Sequence, residues 1–108
     1  MTQVRLPTKL ITDWQSFHEV CRETFGFPDF YGENMNAWID CMSCLRDDDG
    51  MTRFALSEGE MLHIEIEATE DFKTRAPEIF DELIICAAFV NQRYLEVNEP
   101  PVLSLIFV

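Results

Sequence analysis

Three groups of side chains in the 108-residue sequence have types and spacings that could do chemistry. Cys41-Met-Ser-Cys44 has the C-x-x-C spacing of a dithiol redox pair. That chemistry needs a thiolate at an exposed helix start that follows a strand. These cysteines instead fall late in a helical stretch. His63 stands two places before Glu65, a pair that could move protons. Strict alternation with Leu62, Ile64 and Ile66 accounts for both as the solvated face of a strand, so His63 is assigned no catalytic role. The third group works without covalent chemistry. Asn36, Asp40 and Ser43 recur at helical spacing and make one polar face with a carboxylate in it, while Phe30 and Tyr31 precede that face beside Gly32. Aromatic anchors next to a held anion can grip a cationic protein surface.

Other chemistries lack their residues. No phosphate loop, nucleophile elbow or zinc-ligand pattern occurs. His18 and His63 stand at no ligand spacing from Cys21, Cys41, Cys44 or Cys86. The chain therefore reads as a binding protein and not an enzyme, with no metal and no cofactor. Eight Lys and Arg against 20 Asp and Glu give a net charge of −12. Up to Phe27 the charges cancel, so the whole excess lies beyond it. Such a field repels nucleic acid and anionic membranes and steers basic proteins inward. No run of apolar residues is long enough to span a membrane, and the first residues lack the layout of a secretion signal.

The elements that must position these residues fit one domain over residues 1–108. Gln3 to Leu6 is a short strand. Thr12 to Phe25 is an amphipathic helix with Trp14, Phe17, Cys21 and Phe25 on one face, capped by Thr12 or Asp13 and stopped at Gly26 and Pro28. A second helix runs from the cap Asn34 to about Leu45, with Met35, Trp38, Ile39, Met42 and Leu45 on its apolar arc. Met61 to Glu67 is an alternating strand whose charged face predicts an edge position. A helical turn at Thr69 to Arg75 precedes a helix from Pro77 to about Arg93, carrying Ile79, Phe80, Leu83, Ile84, Ala87 and Val90. Val102 to Val108 is nearly all apolar and reads as a strand covered on both faces. Helical crossovers between strands predict an α/β fold, a small and mostly parallel sheet packed against helices.

The run Pro28-Asp-Phe-Tyr-Gly-Glu-Asn34, followed by Ala37 and Asp40-Cys41, resembles the barstar family of ribonuclease inhibitors. The resemblance implies a barstar-like three-stranded, mostly parallel sheet with helices. It also implies a site in which the helix after Gly32-Glu-Asn34 and its preceding loop plug a nuclease cleft. Phe30, Tyr31, Gly32, Asn34, Asn36, Ile39, Asp40 and Ser43 are the partner-binding residues on that reading, with Asp40 standing in for a substrate phosphate. The partner it implies is a basic ribonuclease or related toxin, bound 1:1 in the cytoplasm by a monomer with reduced thiols. Departures bear on the target. The family prototype has tyrosine at Phe30 and aspartate at Asn36. Its tryptophan falls at Ile39, whereas here the tryptophan is Trp38. Its late acidic residues have no secure counterparts in Cys86 to Arg93. A non-catalytic adaptor with a non-nuclease protein partner is the other reading the residues leave open.

Overall fold

The structure is a computed structural model that describes residues 2–108. Three strands, β1 (Thr2–Leu6), β2 (Leu62–Ile66) and β3 (Leu103–Phe107), form one sheet in the order β1-β2-β3, and both pairings are parallel. Parallel neighbours need crossovers. These are made by α1 (Trp14–Phe25) with α2 (Met35–Met42), and by α3 (Thr69–Arg75) with α4 (Pro77–Glu96). The α/β fold expected from the element order is the one observed.

The register places Val4, Ile64 and Leu105 side by side, and likewise Leu6, Ile66 and Phe107. This face meets the helices. The other face carries Gln3, His63 and Ser104, then Arg5, Glu65 and Ile106. Gln3 Nε2 donates to Glu65 Oε2 at 2.7 Å, and Arg5 pairs with the other Glu65 oxygen. The alternation in β2 thus marks a sheet covered on one face only, and β2 is its central strand. The expected edge position was wrong, because one-sided burial and edge exposure leave the same period-two pattern. The covering expected on both faces of β3 is also absent. β3 lies at the edge, Ser104 to Ile106 are half-buried, and Phe107 and Val108 are exposed.

Helix α1 begins at Asp13, whose carboxylate accepts from Ser16 N while Ser16 Oγ accepts from Asp13 N, a reciprocal capping box. It ends at Gly26, with φ of 69°. A Cβ there would stand 2.7 Å from Arg53 Cβ and 3.0 Å from Arg53 N. The second of these is backbone, held by Arg53 N donating to Phe25 O at 2.8 Å. Gly26→Ala is therefore expected to destabilise the fold by about 1–3 kcal/mol, read as a lowered urea midpoint. A midpoint equal to wild type would mean that the strap at Arg53 moves freely.

Helix α4 runs three residues beyond the expected Arg93. Its buried face holds Ile79, Phe80, Leu83, Cys86, Ala87, Val90 and Tyr94. Ile84 is exposed instead, since Cys86 and Tyr94 draw the apolar stripe away from it. Asn91 fastens α4 to the sheet edge. Its Oδ1 accepts from Val102 N and Leu103 N at 2.9 and 2.8 Å, and its Nδ2 donates to Leu103 O at 3.0 Å. No helix among the described residues is long and apolar enough to cross a membrane.

Candidate functional site

The loop from Phe27 to Asn34 joins α1 to α2 and is built from short-range devices. Tyr31 N donates to Pro28 O at 2.9 Å, closing a turn. Gly32 passes close to the next helix, where a Cβ would lie 3.3 Å from Asn34 Nδ2 and 3.5 Å from Ala37 Cβ. Glu33 holds a left-handed φ of 52°. A non-glycine residue there stores about 1 kcal/mol or more, and such strain collects where a loop must aim its neighbours. Asn34 then caps α2, its Oδ1 accepting from Ala37 N at 2.8 Å.

The helix so begun separates its residues as the sequence predicts for most of its length. Trp38, Ile39, Cys41 and Met42 are buried, while Asn36 and Asp40 face solvent and Ser43 is half-buried. The helix ends at Met42, earlier than the expected Leu45, which is buried from the following turn. Phe30 projects freely with 78% of its surface exposed. Gly32 and Asn34 are also exposed. Phe30, Gly32, Asn34, Asn36, Asp40 and Ser43 thus share accessible surface along one loop and helix. Tyr31 and Ile39 do not join them. Both are buried in the free chain and lie behind that surface.

Tyr31 is taken up by contacts inside. Its ring packs on Phe27 with centroids 4.7 Å apart, and its hydroxyl meets His18 Nδ1 at 2.7 Å. His18, on the buried side of α1, was not singled out in the sequence, where the apolar face was read from Trp14, Phe17, Cys21 and Phe25. Burial pushes the Tyr31 hydroxyl well above its ordinary value, so it stays protonated. Burial also lowers the His18 pKa, with the Glu33 charge opposing. The unfolded chain, near the ordinary 6.5, takes up the proton more readily. The stability from neutral His18 is therefore complete above the unfolded value and is lost as pH falls toward the lowered folded one. The thermal midpoint is expected to drop between about pH 7.5 and pH 5.5, and His18→Gln should flatten that drop. Equal slopes in both proteins would assign the drop to another group.

The electrostatics of the helix face hold a surprise for the sequence reading. Asp40 Oδ1 accepts from Arg93 Nη1 at 3.1 Å, and the same nitrogen donates to Ser43 Oγ at 3.1 Å. Arg93 also lies over the exposed ring of Phe89, 5.3 Å from its centroid. The expected anion therefore comes with its own cation, delivered by α4. Tyr94 reinforces the contact by donating from its hydroxyl to Ser43 O at 2.7 Å. Ile85, Phe89 and Arg93 recur at fours off the buried face of α4, a signal readable in the sequence and missed there.

The cysteines are free, and three of the four are buried. Burial, with the charges of Cys44 and Asp40 beside it, pushes the Cys41 thiol up to about 11. A thiol so tuned is a poor nucleophile and a poor redox partner at neutral pH. Among the described residues no three His, Cys, Asp or Glu side chains gather to hold a metal ion.

No individually curated protein matches the chain. A family model does match it, from residue 1 to residue 106, and it carries the description Barstar (barnase inhibitor). The match spans essentially the full sequence, including the loop, α2, the parallel sheet and α4, and the chain belongs to the barstar family.

Proposed function

We propose that this protein is an intracellular inhibitor, of the immunity type, that covers the active site of a basic ribonuclease or related toxin. Its family is one of barnase inhibitors, which bind a ribonuclease and are not themselves enzymes. The single observation that carries the reading to these residues is the rigid presentation of Asp40. The loop turn, the left-handed Glu33 and the Asn34 cap fix where α2 begins, and Asp40 projects from its exposed face with 62% of its side chain accessible. A nuclease cleft is built to hold phosphate, so a fixed carboxylate satisfies the same cations. The net charge of −12 adds long-range steering. The protein acts in the cytoplasm as a monomer, binds 1:1 by occlusion and turns nothing over.

The test is inhibition of RNA hydrolysis by barnase, and by ribonucleases captured from the source cell, at stoichiometric inhibitor. Full activity of all of them at micromolar inhibitor would end the reading. The ion pair between Asp40 and Arg93 favours a second one, in which the partner is a protein other than a nuclease and presents both signs of charge. Host toxicity relieved by co-expression selects the first reading; capture of only non-toxic partners selects the second.

A further inference from the structure

The outer face of α4 departs from an otherwise acidic surface. Asp81, Ile85, Ala88, Phe89, Gln92 and Arg93 follow one another along it at helical spacing, and all six are exposed. No charged residue stands between Glu82 and Arg93. Ile85 keeps 57% of its surface open and Phe89 52%, and Ile84 beside them is also exposed. Large apolar side chains left open next to one another on one helix mark a contact surface, unlike apolar residues scattered singly. Arg93 closes the strip, with its guanidinium over the Phe89 ring.

The order of groups along the strip is self-complementary. Ile85 and Phe89 lie equally far on either side of Ala87, and so do Asp81 and Arg93, and Glu82 and Gln92 do nearly the same from the same centre. A second α4 laid antiparallel about a two-fold axis at Ala87 therefore sets Phe89 against Ile85 of the other copy and Arg93 against its Asp81, with each contact made twice. Gln92 then has a carboxylate, Glu82 of the other copy, to donate to. Ala88 lies next to the axis and is small enough to let two helices approach closely. Glu78 and Glu96 oppose each other only at the ends, where crossed helices diverge. A basic partner finds no anion along the middle of the strip, whereas a second copy matches its apolar centre and both of its charged ends.

We infer that this strip of α4 docks a second copy of the chain, in a two-fold antiparallel pair with an apolar centre and an Asp81–Arg93 ion pair at each end. Arg93 also pairs with Asp40, so the second copy lies against the exposed face of α2. The pair is a resting form from which the inhibiting monomer is released. That release rests on the inhibitor reading above; the pairing does not.

Sedimentation equilibrium of the full chain tests the pairing without a nuclease. The wild type is expected to pass from monomer to dimer as its concentration rises from about 1 μM to about 1 mM. Each chain carries a net charge of −12, so association should tighten when salt is raised from about 0.05 M to about 0.5 M, which screens the repulsion and leaves apolar burial in place. Phe89→Glu should weaken the pair by about tenfold or more. Asp81→Arg and Arg93→Asp should each weaken it by opposing like charges, and the double exchange D81R/R93D should recover most of the wild-type association. A wild type that stays monomeric throughout, a Phe89→Glu variant that pairs as well as wild type, or a double exchange no tighter than either single one would overturn the inference. A strictly monomeric chain that inhibits a nuclease overturns the pairing alone, and a dimer that releases no inhibitor overturns the functional reading alone.

Discussion

Asp40→Ala is expected to weaken binding of the partner nuclease by about 2–4 kcal/mol, or roughly 30- to 1,000-fold. That range is carried over from interfacial anions in general, barstar's own among the steepest, and not from the geometry alone. What the geometry adds is an account of the free state. Asp40 is already paired with Arg93, and both side chains are well exposed. An exposed pair is worth at most about 1 kcal/mol, so giving it up on binding is a small loss against what a covered anion gains. Removing Asp40 hurts mainly by leaving the partner's cation buried without a counter-charge. Arg93→Ala is then expected to stay within about fivefold of wild type. A double-mutant cycle at two salt concentrations, read by calorimetry, separates these contributions. Unchanged affinity in Asp40→Ala removes it from the centre of the interface. A large loss in Arg93→Ala instead points to a partner that brings an anion of its own.

Trp38→Ala should lose about 3–5 kcal/mol of folding stability, a large share of what a domain of this size has. Trp38 is fully buried and heads the largest side chains in the core. Its Nε1 finds no hydrogen-bond partner among the described residues, and the Cys21 thiol is the polar group it influences. The indole therefore acts through its volume. Trp38→Phe keeps most of that volume and removes the unmet donor, so it should lose far less, about 1 kcal/mol. Equilibrium denaturation of the two variants checks the contrast. Equal losses would mean that the indole N–H contributes to stability despite having no hydrogen-bond partner.

The same tryptophan shows what could be read in the sequence and what could not. A shift of one place along α2 turns a side chain by about 100°, and the arc through Met35, Trp38 and Met42 already placed Trp38 inside. Caps were equally legible, because Asp13, Gly26 and Asn34 act on their immediate neighbours. The strand order was not. Its determinants lie between elements far apart in the chain, and the period-two pattern of β2 serves a central strand as well as an edge one. In the site, Phe30 and Asp40 emerged where local pattern put them. Arg93 did not, since it lies 53 residues from Asp40 and only the packing of α4 on α2 brings it there. Tyr31 and His18 meet across 13 residues in the same way.

The position of β2 between the first and last strands has a consequence for biosynthesis. As the chain leaves the ribosome, β1 and β2 can pair early, but β2 keeps one bare edge until Leu103 to Phe107 emerge. The Arg93 and Tyr94 contacts that brace Asp40 and Ser43 also arrive late, because α4 is among the last elements made. Nascent chains therefore pass through a stage with an open parallel edge and an unbraced α2, when aggregation competes with completion. On the inhibitor reading proposed above, a chain cut before Leu103 would not be a weaker inhibitor so much as no inhibitor, and protection of the cell would track finished molecules rather than translation initiated.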